Sequence, residues 1–337
     1  MPVIPLPVAV DVMGADKGPA EIVAGARQAA EQHDIPVLLV GQPEVMGDTG
    51  GLEVLPASEL VTMHDEPAHA VRRKKDSSVV RAAEAVRDGK ASAMVSAGNT
   101  GAAVAAALLR MGRISGVARP AIATVLPVPG GTPTVLLDSG ANADCSAGWL
   151  AQFAQMGAVF AAQRFGIAEP RVGLLSIGEE ASKGNALVKE AHALLADPDR
   201  LKASGGRFLG NVEGRDVMTD ALDVVVTDGF TGNVVLKTLE GSVKVFIEAV
   251  LGVMGSTEES RRASEVLLPA LRPLYRELDP DTYGGAMLLG IDGVCIVSHG
   301  KSSARAIVNA VKVGADMVAG DLVGRLGEAV GRGAPPA

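Results

Sequence analysis

Short apolar runs of four to six residues, rich in Val, Ile, Leu and Ala, recur along the chain. Each is followed by a loop of Gly, Asn, Asp and Ser, and then by apolar positions at helical spacing. A strand that reads as a continuous apolar run must be covered on both faces, so the alternation predicts a mostly parallel sheet with crossover helices, an α/β fold. Strands are expected at Val8–Asp11, Val37–Val40, Ala93–Ser96, Ala121–Leu126, Thr134–Asp138, Val172–Ile177, Asp223–Thr227 and Val294–Ser298. Helix starts are signalled by Gly18-Pro19, Asn99-Thr100 and Ser302-Ser303, which supply caps or a first-turn proline.

One segment breaks this rhythm. Between Glu240 and Leu278 two helical patterns follow each other, Gly241–Met254 and Ser260–Leu278, joined by Gly255-Ser256-Thr257 with no strand between. A projecting helical hairpin is expected there. Its apolar residues, among them Phe246, Val250, Leu251 and Met254 on the first arm and Val266 to Leu274 on the second, cover more than one face. The surplus suits a dimer partner or a lipid surface. The Gly/Pro/Ala-rich tail from Gly331 to Ala337 is expected to be disordered.

Composition narrows the classes. With 337 residues, 47% of them apolar, the chain can bury a large core as one α/β domain or two lobes. Its net charge of -8 argues against nucleic acid, which is bound through basic surfaces. Two cysteines, Cys145 and Cys295, are too few for a disulfide framework, and a reducing cytoplasm fits. The N-terminus, with prolines at 2, 5 and 7 and no basic segment, does not read as a signal peptide. The uncharged runs Ala91–Leu109 and Pro120–Leu137 are interrupted by Gly98 to Gly101 and by four prolines, so neither reads as a membrane span.

Several familiar chemistries fail on spacing. Gly300-Lys301-Ser302 ends like a phosphate-binding Walker loop, but Cys295 stands where the motif needs its first glycine. No Gly-x-Ser-x-Gly elbow, dinucleotide fingerprint or helical His pair is present. What remains is a set of Gly/Asn/Asp/Ser loops after strands: 11–16, 96–101, 138–142, 177–185, 210–216, 228–233 and 298–302. Such loops ordinarily make turns, yet many together at one sheet edge, each opening a helix, would suit an oxyanion. Lys183 lies near the start of a helix expected over 184–195, with Glu179 and Glu180 in its loop. It could hold phosphate or polarise a thioester carbonyl, the alternative being a solvated ion pair. The run Arg72 to Lys75 is the most basic stretch in an acidic protein, and either a solvated face or an anionic partner explains it. His299 likewise admits a structural or an acid-base role.

Read in order, the loops resemble the PlsX family of phosphate acyltransferases. The resemblance runs from Val8 to about Asn309, and Val95–Ala102, Arg119–Ala123, Leu137–Asn142, Ile177–Glu180 with Lys183–Asn185, Gly210–Asp216 and Asp228–Lys237 carry it most specifically, continued by Tyr283–Gly285 and Ser298–Gly300. Ala15, Lys17 and Met287 depart from it, standing where glycine, histidine and proline are usual. The resemblance implies a three-layer, Rossmann-like α/β/α homodimer related in fold to phosphotransacetylases and isocitrate-type dehydrogenases, here one domain over 1–337 with the hairpin inserted at 240–280. It implies transfer of a long-chain acyl group from acyl carrier protein to inorganic phosphate, with no metal or cofactor. The acyl phosphate would pass to a membrane glycerol-3-phosphate acyltransferase, and the protein would be cytoplasmic and peripheral to the inner face of the cell membrane.

For that reaction Lys183 and Asn233 are assigned to the reacting carbonyl and phosphate, with Asp11, Ser96, Asn99, Asn142, Glu180 and His299 around the substrate. Arg261, Arg262, Arg272 and Arg276 are assigned to an acidic carrier protein, and Val250, Leu251 and Met254 to the membrane. The rivals are a phosphotransacetylase acting on short acyl-coenzyme A and a non-catalytic membrane scaffold. A short-chain enzyme does not need a lipid-facing hairpin, and a scaffold does not need the polar loops.

Overall fold

The computed structural model describes residues 6–331; the outer residues of both termini, including nearly all of the tail just considered, lie outside the described residues. The strands are β1 (Val8–Asp11), β2 (Val37–Gly41), β3 (Glu53–Pro56), β4 (Ala93–Ser96), β5 (Ala121–Leu126), β6 (Thr134–Leu137), β7 (Arg171–Leu175), β8 (Arg207–Val212), β9 (Val224–Val226), β10 (Ala286–Leu289) and β11 (Val294–Val297). The helices are α1 (Pro19–His33), α2 (Pro43–Met46), α3 (Pro67–Arg73), α4 (Ser78–Arg87), α5 (Thr100–Arg110), α6 (Ala147–Phe165), α7 (Ala186–Leu195), α8 (Gly229–Met254), α9 (Glu258–Leu278), α10 (Ala304–Ala319) and α11 (Leu322–Ala329).

All eight expected strands form, and β3, β8 and β10 join them in one sheet ordered β3-β2-β1-β4-β11-β10-β5-β6-β9-β7-β8. The first five strands of that order run parallel. Strand β10 is antiparallel to both neighbours, and β6 is antiparallel to β5, so β6, β9, β7 and β8 run opposite to the first five. The polar loops therefore do not share one edge of the sheet, as the sequence led us to expect.

Side-chain alternation divides the core. Val8 and Val10 of β1 point into a cluster that continues through Val95, Val135, Val172 and Val224 under α1, α6, α10 and α11. Ala9 and Met94 point to the opposite face, where α3, α4 and α5 cover the first half of the sheet. Leu136, Val225 and Leu222 meet Leu236 of α8 on that same face of the second half. The result is three layers, α/β/α, with the first cluster continuous across both halves.

Helix α8 begins at Gly229, a dozen residues before the expected start, because Asp228 caps it through Thr231 N at 2.8 Å. The hairpin turn falls at Gly255–Thr257 as expected, with Thr257 capping α9. Its arms bury little against each other: Ser264 is the one buried residue of α9, and the buried residues of α8 all lie in its first eight positions.

Candidate functional site

Loops at the carboxyl ends of β1, β4 and β11 form one group. Asp11, the last residue of β1, is buried; its Oδ2 accepts from Ser96 Oγ at 2.7 Å and its Oδ1 from Met13 N at 3.1 Å. Burial pushes its carboxyl up to about 6, against the lowering effect of hydrogen bonds from Ser78, Ser96 and Met13. Ser96 Oγ in turn accepts from Gly98 N at 3.3 Å, so the β1 and β4 loops are tied together from below. Asn99 caps α5 through Ala102 N at 3.1 Å and donates its amide to Thr62 O and Met63 O at 3.2 and 3.4 Å. His299 is exposed after β11, its Nε2 3.7 Å from Glu240 of α8.

A second group lies where β6 ends and α8 begins. Asp138 follows β6, is fully buried, and accepts five hydrogen bonds: Oδ1 from Ile122 N, Gly140 N and Ala141 N, and Oδ2 from the backbone and side-chain amides of Asn142. Asn142 also donates to Pro120 O at 2.8 Å, so both of its amide hydrogens are engaged within the protein. Against this loop packs the first turn of α8. A Cβ on Gly229 would meet the Asn142 backbone at 2.7 Å, and one on Gly232 would lie 1.8 Å from Asp138 O. Only glycine fits there, and the spacing of three puts both on one helix face. Asn233, next along, is exposed and donates one amide hydrogen to Ser139 O at 3.1 Å, leaving its second for a ligand.

The third group follows β7 and β8. Lys183 is exposed, makes no ion pair among the described residues, and lays its stem across Gly178, whose Cβ would sit 2.8 Å from Lys183 Cγ. The loop is shaped by backbone contacts: Glu180 O accepts from Lys183 N and from Asn211 Nδ2, both at 2.9 Å. The Glu180 side chain is exposed, and Glu179 pairs with Arg215 rather than with Lys183. Since β7 and β6 are separated only by β9, Lys183 and Asn233 stand above strands about 10 Å apart.

Contacts through α8 and the sheet centre join the first two groups despite opposite strand directions. Ala141 packs into the core of the first half, and α8 carries Glu240 from the second group to His299 of the first. Cys145 lies beside the second group, its Sγ 3.5 Å from Asn142 O, and burial pushes the thiol up to about 12. It stays protonated at neutral pH, so the site holds hydrogen-bond donors and a cation but no ready thiolate nucleophile.

Asp138 is the residue that inspection of the sequence passes over. Its loop is visible in the sequence, but nothing in Asp-Ser-Gly-Ala-Asn distinguishes a turn aspartate from one that gathers five donors. The Gly229/Gly232 spacing was the available signal.

A family profile described as "Fatty acid synthesis protein" matches residues 6–325. A phosphate acyltransferase of Pelotomaculum thermopropionicum is 47% identical over 318 residues, covering 92% of this chain and 91% of its own. The chain belongs to the phosphate acyltransferase family. A second such relative, from Desulforudis audaxviator, is 46% identical over 328 residues and 96% of each chain. Among solved structures, a phosphotransacetylase from Streptococcus pyogenes superposes with a TM-score of 0.61 at 17% identity, over 94% of both chains. A branched-chain phosphotransacylase from Enterococcus faecalis gives 0.60 at 14%, over 93% of this chain and 99% of its own. These likenesses establish the shared fold.

In this phosphate acyltransferase family member the residues assigned to docking and to the membrane all sit on the hairpin. Arg261 and Arg262 both pair with Glu258, at 2.8 and 3.2 Å. Arg272 and Arg276 are exposed. Val250 and Leu251 are exposed and Met254 is half-buried, while Phe246 and Val253 nearby are each 70% exposed. Among the described residues no helix is long and apolar enough to cross a membrane.

Proposed function

We propose that this chain transfers a long-chain acyl group from acyl carrier protein to inorganic phosphate, releasing an acyl phosphate for phospholipid synthesis. The family match over residues 6–325 carries the reading, since it spans all three loop groups. An oxygen of hydrogen phosphate attacks the thioester carbonyl carbon; the C–O bond forms, the C–S bond breaks, and the phosphate proton ends on the departing thiol. Charge builds on the carbonyl oxygen, and fixed donors aimed at it lower the barrier without a covalent enzyme intermediate. Lys183 supplies the cation and Asn233 the free amide hydrogen, with Asp138 and Glu180 O fixing the loops that carry them. Asp11, Ser96 and Asn99 brace the neighbouring loop, and His299 is exposed beside Glu240 of α8. Membrane association through the hairpin and a homodimer belong to this proposal, as does delivery to a membrane glycerol-3-phosphate acyltransferase.

Purified protein incubated with a long-chain acyl carrier protein is expected to release free thiol only when phosphate is present, and to form a product that hydroxylamine traps as hydroxamate. Thiol release independent of phosphate, or a strong preference for acetyl-coenzyme A, would overturn the proposal, the second result in favour of the phosphotransacetylase reading that the fold also permits.

A further inference from the structure

The charge of this chain is distributed unevenly. Residues 67–113, which make α3, α4, β4 and α5, hold nine Lys and Arg against three Asp and Glu, a net +6 in a protein of net -8. The cations lie on the outer layer over the first half of the sheet. Arg72, Arg73 and Lys75 are exposed and make no ion pair among the described residues. Arg81, Arg87 and Arg110 converge on Glu84 at 3.4, 3.9 and 3.6 Å, and Asp76 and Asp88 pair Arg81 and Arg87 as well, so the unpaired positive charge of this face lies on Arg72, Arg73 and Lys75. Between them α5 leaves Leu109 45% exposed, with Leu108 beside it half-buried. The face also abuts the site: Pro67 at the start of α3 lies against Gly101, and Asn99 donates to the carbonyls of Thr62 and Met63 just ahead of α3.

We propose that the outer face of α3, α4 and α5 docks an acidic protein, the carrier that delivers the acyl group. The inference rests on the carrier-bound donor proposed above. A second copy of this chain does not suit the face, because two-fold pairing would set cation against cation. Lysines and arginines around an exposed leucine suit an acidic helix with an apolar ridge, and long-range attraction of opposite charge speeds encounter. By contrast α9, with four arginines offset by four glutamates and two of those arginines held by Glu258, presents no net charge to such a partner.

The test compares Arg72→Glu/Arg73→Glu/Lys75→Glu with Arg272→Glu/Arg276→Glu by titrating acyl carrier protein against each at low and high salt, and by measuring the KM for its thioester. The first variant should weaken binding about tenfold or more at low salt, raise KM in parallel, leave the melting temperature near that of the parent, and differ less from the parent at high salt. The second variant should stay within about twofold of the parent. Unchanged affinity in the first variant, or loss confined to the second, overturns the docking surface while leaving the reaction intact. A parent enzyme that neither binds nor uses the carrier-bound thioester overturns the donor reading itself. Loss of binding to anionic vesicles by the first variant, with carrier affinity unchanged, would assign the face to lipid instead.

Discussion

Two buried aspartates at strand ends differ in how many donors meet them. Asp138 gathers five hydrogen bonds in a rigid loop, whereas Asp11 has the Ser96 hydroxyl and one amide close by, and burial dominates. Raised from the ordinary 3.8 to about 6, Asp11 holds a proton in the folded protein between those values that the unfolded chain has lost. Ionised Asp11 therefore costs stability above pH 6, on the order of 3 kcal/mol, and the cost fades as pH falls toward 4. Asp11→Asn removes the charge and keeps an acceptor for Ser96. Its unfolding midpoint should exceed that of the parent at pH 8, with the gap narrowing steadily by pH 5. A difference that does not vary with pH would mean that Asp11 does not titrate in this range.

At the scale of elements, the eight strands legible in the sequence are those buried on both faces, where a continuous apolar run leaves no ambiguity. The three others each carry a local contradiction. Strand β3 is an exposed edge holding Glu53 and Pro56, and β10 opens directly after Gly284 and Gly285. Strand β8 contains Gly210 at φ +102° beside a register shift against β7, so it reads as a loop. The early start of α8 escapes for a related reason: Gly229 and Gly232 look like turn residues but mark close approach to the Asp138 loop. Helix starts read as anion sites also prove to be internally capped, α5 by Asn99, α7 by Asn185 and α8 by Asp228. In the reaction proposed above, anion binding then falls to side chains that remain exposed, Lys183 and Asn233. Lys183→Ala and Asn233→Ala should each lower turnover by about a hundred- to a thousandfold, the range for a lost oxyanion donor. Lys183→Ala should leave stability nearly unchanged, while Asn233→Ala gives up one hydrogen bond to Ser139, about 1 kcal/mol. Turnover within about twofold of the parent in either variant would remove that residue from the chemistry.

For the whole molecule, the insertion of β10 between β11 and β5 is a non-local fact that no window of sequence contains, and α8 rather than a shared sheet edge links the first two loop groups. The same helix leaves the body and ends in the hairpin, where apolar side chains face solvent on both arms. The hairpin itself offers an anionic bilayer no net positive charge, since α9 carries four arginines against four glutamates. If the hairpin meets lipid, apolar contact must drive it, and binding should persist at high salt. Burying one such side chain is worth on the order of 1–2 kcal/mol, so Val250→Ser/Leu251→Ser/Met254→Ser together should reduce partitioning onto vesicles by about a hundredfold or more. Flotation with liposomes at low and high salt measures both effects, and phosphate-dependent turnover of a soluble thioester should survive the triple change. Flotation equal to the parent's, with a shift from dimer to monomer in sedimentation, would make the hairpin an interface between two copies of the chain instead of a membrane anchor.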